Sequence, residues 1–225
     1  MRFIDRHDAG RELAKRLLTL KDKNPVVLAL PRGGVPVGFE VAQSLGAPLD
    51  LILVRKIGAP HEEELAIGAI ADGDDPELVT DPRLVRDLNV SQDYLDDAKS
   101  AALKEIERRR RAYFGDRKAV DIAGHTAIIV DDGIATGATM LAALHATRRR
   151  NPARIVLAVP VASAEAVRRL RREVDELVCL YTPQVFLAVG QFYRQFPQLR
   201  DAEVVSFLDR SRAAVSAPSS SENHT

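Results

Sequence analysis

Asp131 and Asp132 stand directly after the apolar run Thr126–Val130, and a loop of small and hydroxylated residues, Gly133-Ile-Ala-Thr-Gly-Ala-Thr139, follows them. A β-branched apolar run of this length reads as a strand buried on both faces of a parallel sheet. The carboxyl end of such a strand is where open α/β sheets bind ligands. Met140–Leu144 then opens a helix, so the loop lies at a helix N-terminus, where unpaired N–H groups and the dipole favour an anion. A carboxylate pair beside a phosphate cradle suits a ligand with both a diol and a phosphate, and a ribose 5-phosphate has both. In this reading the acids serve a ligand and not the core.

The elements that position this stretch alternate along the chain. Asp5 or Asp8 caps an amphipathic helix over Arg6–Leu20, with Ala9, Leu13, Leu17 and Leu20 on one face. Apolar strands are expected at 26–30, 49–54, 126–130, 154–161 and 176–180, separated by helices that include Phe39–Leu45 and Ala164–Arg172. A long helix from Ser91 to about Phe114 has Tyr94, Ala98, Ala101, Ile106 and Tyr113 as candidate buried positions. Leu65–Ala71 and Glu77–Thr80 flank the turn signal Asp72-Gly-Asp-Asp75 and suggest a small hairpin. The fold expected is α/β, a doubly wound parallel sheet of about five strands in a single domain over residues 1–212. Ala202–Leu208 would be a short closing helix, and the Ser/Ala/Pro-rich 213–225 a disordered tail.

Two further strand ends carry chemistry. After the strand at 26–30 comes Pro31-Arg-Gly-Gly34, a tight turn that suits backbone N–H groups and one guanidinium facing a pyrophosphate. Gly33 to Gly38 has Walker A spacing, but Phe39-Glu40 replaces the required Lys-Ser/Thr, which excludes a P-loop nucleoside triphosphatase. No G-x-G-x-x-G is present either, so the dinucleotide fingerprint is missing. Arg55 and Lys56 end the run Leu49–Val54, where two cations call for an anionic partner or a path to solvent.

Taken whole, Ile128-Ile-Val-Asp-Asp-Gly-Ile-Ala-Thr-Gly-Ala-Thr139 resembles the phosphoribosyl pyrophosphate (PRPP) signature of the type I phosphoribosyltransferases. The resemblance covers roughly residues 24–195. It implies that Asp131 and Asp132 hold the ribose hydroxyls and that Ala135, Thr136, Gly137, Ala138 and Thr139 wrap the 5-phosphate. Pro31, Arg32, Gly33 and Gly34 would then bind pyrophosphate together with Arg55 and Lys56, as in the similar segment of adenine phosphoribosyltransferases. Arg55, Lys56, Asp131 and Asp132 would be the catalytic set, and the hairpin region a flexible loop closing over the reaction. Phe186–Gly190 is similar to the hood of hypoxanthine-guanine phosphoribosyltransferases, which implies a small hood over 181–200 and the N-terminal segment, with Phe186 and Val189 toward the base. The aromatics there, Phe186, Phe192, Tyr193 and Phe196, could stack on a base but read for the most part as a satellite core under a long loop. Mg²⁺ is the implied cofactor, held mainly through PRPP and by no dedicated protein ligands. The implied partners are PRPP and a small-molecule acceptor, with a homodimer as the family's habit. Enzymes for 6-oxopurines carry an aspartate where this chain has Ala135, so the acceptor stays open. A PRPP- or nucleotide-sensing regulator on the same fold is the alternative to a phosphoribosyltransferase.

Composition sets the outer limits. In 225 residues, 32 basic and 32 acidic side chains cancel, leaving no global field toward nucleic acid or membrane. The runs Arg108–Arg111, Arg148–Arg150 and Arg168–Arg172 read as solvated helix faces. Cys179 is the sole cysteine, which rules out an internal disulfide and fits a reducing compartment. No stretch reaches the roughly 20 apolar residues of a membrane span, Met1–Gly10 lacks a signal-peptide pattern, and a cytoplasmic location is expected.

Overall fold

The computed structural model describes residues 2–73, 76, 78–115 and 117–216. In chain order the elements are α1 (Arg6–Leu17), β1 (Pro25–Ala29), α2 (Gly34–Leu45), β2 (Leu49–Leu51), β3 (Val54–Ala59), β4 (Glu62–Ala71) and β5 (Leu78–Thr80). They continue as α3 (Pro82–Asp87), α4 (Gln92–Phe114), β6 (Thr126–Val130), α5 (Ala138–Arg149), β7 (Arg154–Val161), α6 (Ala164–Leu170), β8 (Glu176–Tyr181) and α7 (Asp201–Ser216). Among the described residues, β2-β1-β6-β7-β8 form a parallel sheet and β3-β4-β5 a separate antiparallel one.

The all-apolar strands are explained by the two faces they serve, because successive side chains leave a strand on opposite sides. Val27, Ala29, Ile128, Val130, Val156 and Ala158 face a core shared with α1, α2 and α7. Their neighbours Val26, Leu28, Ala127, Ile129, Ile155 and Leu157 face a second core under α5 and α6. A sheet covered on both sides has no polar face, and the doubly wound expectation holds. The caps follow from sequence too. Asp5 accepts the Asp8 N–H at the start of α1, Ser91 accepts the Tyr94 N–H at α4, and Gly46 closes α2 at φ 64°.

The strand expected at 49–54 needs correction. β1 ends at Ala29, so pairing stops at Ala29↔Leu51, and the Ile52 N–H makes the last bond to the Ala29 carbonyl at 3.1 Å. Leu53 then turns to Asp72: its N–H donates to Asp72 Oδ1 at 3.1 Å and its carbonyl accepts the Asp72 N–H at 2.8 Å. From there β3 runs antiparallel to β4. Arg55 and Lys56 therefore lie within a strand of the smaller sheet, both exposed, and not at the end of a strand of the main one.

Other departures are smaller. The hairpin forms, with Ala69↔Val79 in its register, while Asp74 and Asp75 of the expected turn and Glu77 of the expected strand lie outside the described residues. α3 was not foreseen, although Asp81-Pro82 is a cap and a first-turn proline. On α4 the buried stripe is Leu95, Ala102, Ile106 and Tyr113; Tyr94 and Ala98 are half-buried and Ala101 is exposed. α7 extends through Ser216, well past the expected Leu208, so 213–216 belong to a helix and not to a tail; residues 217–225 lie outside the described residues. Its buried Val204, Phe207 and Leu208 pack on the first core, with Phe207 and Phe39 ring centres 5.3 Å apart.

Asp72 joins the two sheets and carries a measurable signature. Burial pushes its carboxyl up from 3.8 to about 6, opposed by Arg110 at 3.1 Å and by the Leu53 N–H. The folded chain thus binds this proton more tightly than the unfolded chain. Its contribution is full below about 3.8 and is lost as pH rises through about 6. We expect Asp72→Asn to remove about 3 kcal/mol of the pH-dependent change in unfolding free energy between pH 4 and 7. Urea midpoints measured across that range should fall less steeply in the variant, and parallel curves would contradict this account.

Candidate active site

β6 delivers Asp131 and Asp132 to the edge of the sheet, and the loop after β1 lies directly across them. The Leu30 N–H donates to the Val130 carbonyl at 2.9 Å, which brings 31–34 alongside the acid pair. A Cβ on Gly33 would collide with the Asp132 carboxylate; one on Gly34 would stand 2.7 Å from the Val130 carbonyl oxygen and 2.9 Å from Asp131 Cα. Both glycines are therefore required by the close approach of the two loops. The Pro31–Arg32 peptide bond is cis. Arg32 is exposed, with its guanidinium 3.8 Å from Asp201 Oδ1 at the start of α7.

The third loop, Gly133–Thr139, is tied to the sheet on one side and open on the other. The Ile134 N–H donates to the Val161 carbonyl at 2.9 Å, and Ser163 Oγ donates to the Ala135 carbonyl at 2.6 Å. Ala135 and Thr136 are exposed. Gly137 takes a left-handed conformation, φ 82°, as the N-cap of α5 and supplies no side-chain cap. The first-turn N–H groups of a helix lack intrahelical partners, so an anion is the natural complement here. Beside this loop opens a cleft of about 630 Å³, walled by β4 and β5 and by Phe186 and Leu187, with Lys56 and Arg169 as its cations.

Most of the residues expected at the site converge. Pro31–Gly34 meets Asp131 and Asp132, Lys56 joins Ala135, Thr136, Ala138 and Thr139 around the cleft, and Phe186 forms part of its wall. Val189 packs over Gly133, whose Cβ would stand 2.6 Å from Val189 Cγ1. Arg55 is the exception. Paired with Ile70 on β3, next to Lys56 paired with Ala69, it leaves the strand on the opposite side and does not line the cleft. The hood aromatics Phe192 and Tyr193 are buried with Phe3 and act as a satellite core.

Asp132 is not simply a ligand-facing acid, which corrects the reading that both carboxylates serve a ligand alone. It is 8% exposed, and its Oδ2 accepts from Arg6 Nε at 2.8 Å. Arg6 also donates to the Pro197 carbonyl at 2.8 Å and lies 3.7 Å above the Phe196 ring centre. The Tyr193 hydroxyl donates to the Asp132 carbonyl at 2.6 Å. Asp131 remains partly exposed, with Oδ1 accepting the Asp132 N–H at 2.8 Å. Lost hydration holds both carboxyls above their ordinary range. For Asp131 the neighbouring Asp132 charge adds to this, whereas for Asp132 the Arg6 cation opposes it. Arg6 and Tyr193 were missed in the sequence, yet Arg6 falls on the stripe of Ala9, Gly10, Leu13 and Leu17, and a cation in a buried helix stripe is a signal that it has a partner.

The two acids should therefore separate in a stability measurement. Asp132→Ala leaves the buried Arg6 cation uncompensated and should cost about 3 kcal/mol or more in urea unfolding. Asp131→Ala should cost under about 1 kcal/mol, as at a partly exposed position. Equal losses would contradict the division of roles.

The phosphoribosyl transferase domain model matches residues 5–197. A Mycobacterium tuberculosis protein carrying the provisional name phosphoribosyl transferase is 49% identical over 209 residues in both the H37Rv and CDC 1551 strains. That match covers 93% of this chain and 47% of the relative, so the chain spans about half the length of the relatives it matches. The crystal structure of TT1426 from Thermus thermophilus superposes with a TM-score of 0.75 at 44% identity, covering 92% of this chain and 98% of that one. The chain belongs to the phosphoribosyl transferase domain family.

Proposed function

We propose that this site binds PRPP and transfers its 5-phosphoribosyl group to a nitrogen nucleophile with release of pyrophosphate. The observation that carries this is the seating of Gly33 and Gly34 against Asp131 and Asp132, next to the open loop Ala135–Thr139. Pyrophosphate, diol and phosphate subsites thereby adjoin in the order that PRPP presents these groups. Asp131 takes the ribose hydroxyls. Thr136 and Thr139, with the first-turn N–H groups of α5, take the 5-phosphate. The N–H groups of Arg32 and Gly33 face the pyrophosphate, and Arg32 leaves Asp201 to join them.

Mg²⁺ fits the donor set. Asp131 offers a partly exposed carboxylate of hard oxygen, and Mg²⁺ typically takes one or two carboxylates together with substrate phosphates. When bound, the ion would neutralise charge on the departing pyrophosphate. The chain's own task is positioning and exclusion of water, because hydrolysis competes with transfer. The hood residues Phe186 and Val189 offer the acceptor an apolar wall, and the absence of an aspartate at Ala135 disfavours a 6-oxopurine.

Lys56 takes the role of the cation that stabilises charge growing on the leaving group, supported by the family resemblance and by its position in the cleft beside Ala135–Thr139. A contact stronger in the transition state than in the ground state raises turnover more than affinity. The test is pyrophosphate release from PRPP and Mg²⁺ over a panel of nitrogenous bases. With the base that is turned over, Lys56→Ala should lower kcat about a hundredfold with a smaller change in PRPP affinity, while Arg55→Ala has a lesser effect. No release with any base, or equal losses of kcat and affinity for Lys56→Ala, would count against the catalytic reading.

A further inference from the structure

We propose that Arg6 is a positioning residue for Asp132, so that the acid pair is competent to bind a ribose diol only when the N-terminal turn and the hood have closed around it. The proposal rests on the PRPP reading above. Its basis is a clamp built from both ends of the chain. The Phe3 N–H donates to the Phe192 carbonyl at 2.8 Å, the Arg194 N–H to the Phe3 carbonyl at 2.9 Å, and the Gln195 N–H to the Ile4 carbonyl at 2.9 Å. This pairing fixes where α1 begins. Arg6, in the first turn, then reaches inward to Asp132 while its other nitrogen holds the Pro197 carbonyl and its plane stacks on Phe196. Tyr193 fixes the backbone of the same aspartate from the hood side.

A guanidinium held at two points is a rigid donor, unlike a mobile surface cation. It sets both the rotamer and the charge of Asp132, whose backbone N–H in turn binds the Asp131 carboxylate. The order in which the parts depend on one another is thus hood and N-terminus, Arg6, Asp132, Asp131, ligand. The charged and titratable groups around Asp132 are Arg6 from α1, Asp131 beside it and Tyr193 from the hood; Arg32 on the facing loop is engaged with Asp201.

Arg6→Gln and Arg6→Lys distinguish positioning from mere support. Both give up the fork that spans Asp132 and Pro197, but only lysine keeps a charge near Asp132; Arg6→Gln should therefore lower Tm more, and affinities are compared at a temperature at which both variants are folded. Calorimetric titration with PRPP and Mg²⁺ should show Arg6→Gln weakened at least tenfold relative to wild type. Arg6→Lys should retain most of the affinity. Equal affinity losses in the two folded variants would reduce Arg6 to a structural contact and overturn the proposal. So would an Arg6→Gln variant that binds PRPP like wild type. If glutamine prevents folding, the lysine variant decides alone, and an affinity loss of tenfold or more in it overturns the proposal. A wild-type chain that binds no PRPP would overturn the functional reading and this proposal with it, and that failure is recognisable because it precedes any substitution.

Discussion

A carboxylate at the end of a buried parallel strand, 8% exposed, is the constraint around which the rest of this molecule is arranged. Taking such a charge out of water costs several kcal/mol unless it is paired and hydrogen-bonded. Arg6 compensates the Asp132 carboxylate directly, while the Tyr193 hydroxyl and the Asp131 carboxylate hold its backbone carbonyl and N–H. Each compensation recruits an element that the parallel sheet alone would not need. The first turn of α1 must start beside the sheet edge, the hood must fold back over it, and the loop after β1 must carry glycine where any side chain would strike the carboxylate. The binding site and the closure of the domain are consequently one structure.

Such coupling explains why the two acids differ despite being neighbours. Alternation along an extended segment sends one carboxylate inward and leaves the next at the surface. The inward one is spent on architecture, and the outward one, raised by lost hydration and by its neighbour's charge, is available to a ligand. The smaller sheet shows a related division. Arg55 and Lys56 are adjacent in sequence, but one pleat places Lys56 on the cleft and Arg55 on the other side.

The main sheet was legible in the sequence because its strands are buried on both faces and so contain no polar alternation to confuse them. The acid pair at a strand end and the small-residue loop at a helix start were legible because the motif Val130-Asp-Asp-Gly-Ile-Ala-Thr-Gly-Ala-Thr139 is local, with strand, acids and helix start contiguous. What was not legible depends on contacts distant in the chain. Leu53 leaves the main sheet because β1 has ended and Asp72, nineteen residues on, captures its backbone. Arg6 finds Asp132 across 126 residues, and nothing in the spacing of either announces the other. The extension of α7 past Leu208 was obscured by Ser and Ala, which are common to helices and to flexible tails.

We propose that three loops at the strand ends form one PRPP site with Asp131 at its centre. A crystal structure of the chain grown with PRPP and Mg²⁺ tests it most directly. The 5-phosphate should lie against the N–H groups and hydroxyls of Ala135–Thr139, the ribose hydroxyls within hydrogen-bond distance of Asp131, and the pyrophosphate against Arg32–Gly34, with Asp132 still bound to Arg6. Ligand density elsewhere, or at this edge of the sheet with Asp131 out of reach of the ribose, would contradict the account.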